Sequence, residues 1–423
     1  MNWLQRYRLR NYLRSSVWIL PVAGIPLALL AVQGLHWIET RFGWQAGFDP
    51  ASTLAMFGTL AGSLLTFIVF LSSSLLLVLQ LASAALSPRI IGIVFRAPVI
   101  RYTLALFTFT FTFTLAVFLR IEKSVPALTA YAAAFLCLFC IAIFLYLLDN
   151  VGRQLRPSGA LQTVARAGHD VIRSVYPRRL AEPPDGDRGP ARPVEGEPSR
   201  TVPSPKDGVL LAFDFEGLVA LAQGAGCVVE LVPQVGDFVA AGSPLFRIFG
   251  GDGPPEEALC HSVAVGQERT MEQDPAFAFR IMVDIASKAL SPAINDPTTA
   301  VLAIDQIHHL LRSVGGRRLD EGLACDRSGS LRLVYRTPDW EDYVFLAVTE
   351  IRQFGGTSIQ VVRRLRAMLE NLTQVLPPER TALLRAELTR LHRSAERFFP
   401  EPEDQALADE SDLQGVGGKH SRT

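Results

Sequence analysis

The sequence predicts an α-helical membrane protein with four transmembrane helices, followed by a cytoplasmic α+β region made of a small β module and a helical domain. Three observations predict it. Four stretches in the first third of the chain each carry the roughly 20 apolar residues that a helix needs to cross a bilayer. The chain is 49% hydrophobic and only 19% charged, against about a quarter charged in a soluble domain, and the deficit lies in that first third. Beyond it, short β-rich runs give way to amphipathic segments of helical period.

The first span covers 17–37 and is interrupted by Pro21 and Pro26. It lacks a small-residue cleavage site and reads as an uncleaved anchor. The second covers 54–86. The third, 102–119, contains the alternating run Phe107-Thr-Phe-Thr-Phe-Thr-Phe-Thr114. Alternation usually marks a strand, but a lone strand in lipid leaves its backbone unsatisfied, so helix is expected. Its hydroxyls can bond back to helix carbonyls; facing water is the alternative. The fourth span covers 126–148 and holds Cys137 and Cys140 as small apolar residues. All five cysteines read as reduced thiols.

Orientation follows the basic residues. Arg6, Arg8, Arg10 and Arg14 precede span one, Arg89, Arg96 and Arg101 separate spans two and three, and Arg153, Arg156 and Arg166 follow span four. The opposite loops carry only Arg41, Arg120 and Lys123, beside Glu39, Asp49 and Glu122. Both termini and the large C-terminal part are therefore expected in the cytoplasm.

Span two carries the most informative pattern. Thr59, Thr66, Ser73, Gln80 and Ser87 recur every seven residues, with Gly62 and Ser63 on the same side. Seven residues are nearly two helical turns, so these positions form one stripe. A polar stripe on a membrane helix should face protein or water. The pore-lining candidates are Thr59, Ser63, Thr66, Phe70, Ser73, Leu77, Gln80, Ser87 and Arg89, with Phe70 and Leu77 as hydrophobic gates and Arg89 at the inner mouth. The competing reading is helix–helix packing without a pore.

After the four-helix domain (1–150), residues 151–180 read as a juxtamembrane helix and 181–205, rich in Pro, Gly and charge, as a disordered linker. The β module is expected at 206–262, with strands near 209–213 and 228–232 around a helix at 216–223. Its Val235-Gly-Asp-Phe-Val239 and Gly242-Ser-Pro-Leu-Phe-Arg-Ile248 resemble half of a biotinyl/lipoyl-type barrel. A carrier of that kind needs a lysine at a hairpin tip, and none lies between Gly208 and Ile248, so the module reads as structural, with no cofactor. Residues 263–399 read as a helical domain with helices near 275–290, 298–314, 340–353, 358–375 and 378–398 and a short strand at 331–335. The tail, 400–423, reads as disordered.

Two segments stand out in the helical domain: Gln267-Glu-Arg-Thr-Met-Glu-Gln-Asp-Pro275 and Ala289-Leu-Ser-Pro-Ala-Ile-Asn-Asp-Pro-Thr-Thr-Ala300. With Gln80-Leu-Ala-Ser83 and Ser87-Pro-Arg89, they resemble a bacterial family of uncharacterised membrane proteins, the domain-of-unknown-function 2254 family, over most of the chain. The resemblance implies a four-span membrane protein with a soluble C-terminal region, and it supplies no catalytic residues to carry over.

Read from the residues alone, Asp296 can cap a helix with Pro297 in its first turn, and Asn295 can stabilise the preceding turn. The sharper reading is a polar site of Glu268, Arg269, Glu272, Asp284, Lys288, Asn295 and Asp296, able to take a small ligand or ion. Arg280, Asp284 and Lys288 also read as simple i,i+4 charge pairing.

No phosphate-binding loop, nucleophile elbow or HExxH segment occurs in the sequence. His308 and His309 are neighbours, so they point to different sides of a helix and suit no shared metal. The net charge of +0 gives no support for a nucleic-acid partner. The chain is therefore expected to be no enzyme. It reads as a homo-oligomeric ion channel whose second span lines the pore under a cytoplasmic regulatory domain. The alternative is a membrane-anchored cytoplasmic sensor or scaffold without a pore.

Overall fold

Residues 2–46, 49–85, 89, 98–121, 125–154, 156–182, 196–319 and 322–418 are described by the computed structural model. They fall into two units, Asn11–Ala160 and Met1–Arg10 with Leu161–Thr423.

The first unit holds four helices long and apolar enough to cross a membrane. After α1 (Trp3–Ser15) come α2 (Ile19–Phe42), β1 (Gln45–Ala46), α3 (Pro50–Ala85), α4 (Pro98–Phe118), β2 (Val125–Pro126) and α5 (Ala127–Gln154). α4 is the central helix, packed against α2, α3 and α5. Its Phe–Thr run lies among these neighbours with one side buried, while Thr108, Phe109, Phe111 and Thr112 are half-buried. Phe107, Thr110, Phe113 and Thr114 are all buried. Thr112 bonds back to the Thr108 carbonyl at 2.9 Å, and Cys140 donates to Thr110 at 3.3 Å. Gly24 of α2 lets α4 come close, because a Cβ there would lie 3.2 Å from the Ala105 carbonyl oxygen.

The two prolines do not break the first span, contrary to the sequence expectation. Pro21 falls in the first turn of α2, where a missing N–H leaves no bond unmade, and Pro26 sits inside a helix that continues to Phe42. Glu39, assigned by sequence to a loop, is a buried residue of α2. Its carboxylate accepts from the Thr129 backbone N–H at 2.8 Å, in the first turn of α5, where an anion meets the positive end of the helix dipole. Gln45↔Pro126 and Ala46↔Val125 pair β1 with β2 beside it.

The second unit begins its C-terminal run within α6 (Pro157–Val175), whose apolar stripe Leu161, Val164, Ala165 and Ile172 is buried. Its strands and helices follow as β3 (Arg200–Pro203), β4 (Gly208–Phe213), α7 (Phe215–Gly224), β5 (Val228–Leu231), β6 (Phe238–Val239), β7 (Pro244–Phe249), α8 (Glu256–Cys260), β8 (Val263–Gly266), α9 (Pro275–Ala289), α10 (Pro297–Gly315), β9 (Leu323–Cys325), β10 (Leu331–Tyr335), α11 (Trp340–Phe354), α12 (Ile359–Val375), α13 (Pro378–Phe398) and α14 (Pro402–Ala408).

The strands form a five-stranded sheet, β3-β7-β5-β10-β9, and a three-stranded one, β6-β4-β8. Val202, Leu210, Phe213, Val229, Phe246, Ile248 and Leu333 share their apolar core. The β module is thus larger than 206–262. β3 precedes it, β8 follows it, and β10, from the helical half, pairs in parallel with β5 through Leu333↔Val229. α9 packs on α10 and α11, and α13 on α11 and α12.

Residues 183–195 of the expected linker and 419–423 of the expected tail lie outside the described residues. Residues 400–418, which composition assigns to disorder, instead carry α14 and a loop fixed on α12. The fully buried guanidinium of Arg363 donates to the carbonyls of Glu410 at 3.1 Å, Gly417 at 3.2 Å and Gly418 at 2.9 Å. Asp412, also buried, accepts from the N–H groups of Gln414, Gly415 and Gly417.

Candidate functional site

α3 turns three chemically different faces to its surroundings. At about 100° per residue, Phe57, Ala61, Leu64, Leu71 and Leu75 form one face, and all are buried within the unit. Thr59, Gly62, Ser63, Thr66, Phe70, Ser73, Leu77 and Gln80 lie nearly opposite and are exposed. The contrast is sharp: Phe57 and Leu71 are 1% and 2% exposed, Phe70 and Leu77 57% each. Leu65, Val69 and Leu76 form a third, exposed and wholly apolar strip, suited to lipid.

Among the described residues the polar stripe therefore makes no packing face. That role belongs to the apolar heptad, with Phe67 stacked on Phe107 of α4 at 5.3 Å and edge-on to Phe144 of α5 at 4.5 Å. Two stripe hydroxyls are satisfied locally. Thr59 donates to the Ala55 carbonyl at 2.9 Å and Thr66 to the Gly62 carbonyl at 3.0 Å. Around Gly62 the surface is open, with nothing within 4 Å of a Cβ placed there. Arg89 is exposed, and Ser87 lies outside the described residues. At 36 residues α3 is about 54 Å long, well beyond the roughly 30 Å of hydrocarbon.

The seven polar candidates of the C-terminal unit are not gathered into one site. Glu268, Arg269 and Glu272 precede α9, while Asn295 and Asp296 follow it. α9 has 15 residues, or about 22 Å. Arg269 is tied to the buried carboxylate of Asp274, donating from Nη2 at 3.1 Å and also from Nε. It stacks over Phe277 at 5.5 Å and lies against Gly236, where a Cβ would come within 2.5 Å of its guanidinium carbon. Asp274 caps α9 through the Phe277 N–H at 3.1 Å. Glu268 is exposed. Glu272 lies beside Tyr7 of α1, whose hydroxyl is pushed up to about 12 by burial and then by that carboxylate.

Asp284 accepts from Arg280 Nε at 2.7 Å, and Arg280 reaches across to Glu350 of α11 with both terminal nitrogens, at 2.5 and 2.7 Å. The i,i+4 pair is therefore part of a bridge between α9 and α11. Lys288 is the last basic residue of α9, with the Ser291 hydroxyl on its carbonyl at 2.7 Å. Asn295 is exposed in the left-handed region at φ 47°, which asparagine tolerates better than most residues. Asp296 caps α10, accepting from the Thr299 N–H at 3.0 Å and hydroxyl at 2.5 Å. His308 bonds Asn371 at 2.9 Å and is held below the usual histidine range by burial, while His309 is exposed.

Sequence reasoning missed Glu350, Gln273, Asp274 and Arg363. Only Asp274, directly before Pro275 and the apolar helix pattern, carried a local signal, that of an N-cap.

A family model described as "Predicted membrane protein (DUF2254)" matches residues 14–371. An uncharacterised protein of Mycobacterium bovis is 26% identical over 423 aligned residues, covering 95% of this chain and 80% of its own. An uncharacterised protein of Mycobacterium tuberculosis shows the same identity and coverage. No solved structure matches the chain.

Proposed function

We start from the premise that this chain belongs to the DUF2254 family of predicted membrane proteins, and we propose that it works as a homo-oligomeric ion channel in the bacterial inner membrane. In this reading α3 of each copy lines the pore, and the C-terminal unit is a cytoplasmic regulatory domain. We assign it no catalytic step. One observation carries the reading: the polar stripe of α3 is exposed while a separate apolar face does the packing within the chain. Rings of Thr59, Ser63, Thr66, Ser73 and Gln80 would offer hydroxyls and an amide to passing ions, and Phe70 and Leu77 would narrow the path. The distribution of basic residues supports cytoplasmic termini.

A second reading keeps the membrane anchor and drops the pore. It draws on the back-bonding of Thr59 and Thr66 to their own helix, which lowers the cost of placing those hydroxyls against another helix or lipid. Conductance separates the two. Purified protein in planar bilayers should pass discrete currents, and Gln80→Leu should reduce them. An oligomer that passes no current would leave the scaffold reading standing and remove the channel.

A further inference from the structure

Three oxygen atoms of the second unit come together out of reach of solvent: the Tyr7 hydroxyl, Thr270 Oγ1 and Glu272 Oε2. None of them has a hydrogen-bond partner in good geometry among the described residues. Tyr7 is 5% exposed. Its ring stacks on Trp3 at 5.2 Å and packs, with Leu4, on Leu211, Ala212 and Ala264 of β4 and β8. The hydroxyl at the end of that ring lies close enough to feel both the Glu272 carboxylate and the Thr270 hydroxyl.

Buried polar groups in folded proteins are almost all paired, and a charged oxygen costs the most to leave unpaired. Other residues of the segment 267–275 are committed to structure, Arg269 to Asp274 and Gln273 to Phe213. Thr270 and Glu272 bring their oxygens to Tyr7 instead. Oxygen donors suit a hard cation. Only Glu272 carries a formal charge, because burial, and then that carboxylate, push the Tyr7 hydroxyl up to about 12 and keep it neutral. Arg10 acts on Tyr7 in the opposite sense, less strongly than Glu272, and is itself exposed. Calcium sites gather several carboxylates, and magnesium keeps several of its waters; a single carboxylate among oxygens shut off from solvent suits neither. No group of three His, Cys, Asp or Glu side chains among the described residues is placed to hold a metal ion. One charge and three oxygens match a monovalent ion.

We propose that Tyr7, Thr270 and Glu272 form a binding site for a monovalent alkali cation, with Glu272 supplying the charge and the two hydroxyls their lone pairs. The bound ion ties the start of α1 to the segment that leads into α9. The site is separate from the stripe on α3, and neither reading depends on the other.

Hydrogen exchange of residues 3–10 and 267–275 tests this, on the full chain in detergent with potassium, sodium, choline or magnesium chloride at one ionic strength. Exchange should be about fivefold slower in potassium or sodium than in choline. Glu272→Gln should abolish that difference, Tyr7→Phe and Thr270→Val should reduce it, and Thr270→Ser should keep it. Unchanged exchange of residues 297–315 shows that a variant is folded. Equal exchange in choline and in the alkali salts, as buried water alone would give, overturns the proposal. So does slowing by magnesium alone, or a full response in the folded Glu272→Gln variant.

Discussion

Gln273 pairs its side-chain amide with the backbone of Phe213, accepting from the Phe213 N–H at 2.9 Å and donating to its carbonyl at 3.1 Å. It acts as one more strand residue at the end of β4, supplied by the segment that leads into α9. The neighbouring Arg269, wedged between Gly236 and Asp274, does the same work with charge. The distinctive segment 267–275 is thus the join between the sheets and the helices. Gln273→Ala strands both Phe213 groups, and it should lower the stability of the C-terminal unit by about 2 kcal/mol, measured by denaturant unfolding of the solubilised chain.

The β9–β10 hairpin should be sensitive to acid. Asp326 accepts from the Ser328 hydroxyl at 2.5 Å, from Arg332 Nε at 2.7 Å and from the N–H groups of Ser328 and Ser330. These partners, Ser328 first and Arg332 next, hold its carboxyl far below the usual carboxylate range. A depressed folded-state pKa means that the stabilisation is present above the unfolded value of about 3.9 and is lost as pH falls through the folded one. The protection of residues 323–335 against hydrogen exchange, relative to the unfolded chain at the same pH, should therefore fall progressively below about pH 4. Asp326→Asn should show the lower protection at neutral pH and little further change in acid.

Arg363 should not tolerate lysine. Its planar guanidinium meets three separate carbonyls of the C-terminal loop, and a single ammonium cannot reach all of them. Arg363→Lys should cost about 3 kcal/mol and release residues 409–418 to protease while α9 and α10 stay protected. An uncut loop in that variant would mean that Asp412 and Gln360, which bonds the Gly415 carbonyl at 2.6 Å, suffice to hold it.

Elements with a local signal were legible in the sequence. The four spans, the five helices of 275–398 and the cap at Asp296 follow from apolar period, proline placement and acidic capping. What was not legible depends on partners far away in the chain. β10 pairs with β5 from about a hundred residues earlier, Glu350 closes on Arg280 from another helix, and the tail is held by partners on α12, Arg363 among them. The stripe on α3 was readable as a stripe, but not as an outward one, because that depends on the apolar heptad of the same helix taking the contacts to α4.

The central claim is that this outward stripe borders water between copies of the chain. The most direct measurement is the reaction of Ser73→Cys, compared with Leu76→Cys on the lipid strip, with a small charged thiol reagent, in liposomes and in a chain freed of its own five cysteines. The account predicts rapid labelling at Ser73→Cys and an inert Leu76→Cys. Equal labelling of the two, or none at either, would contradict it.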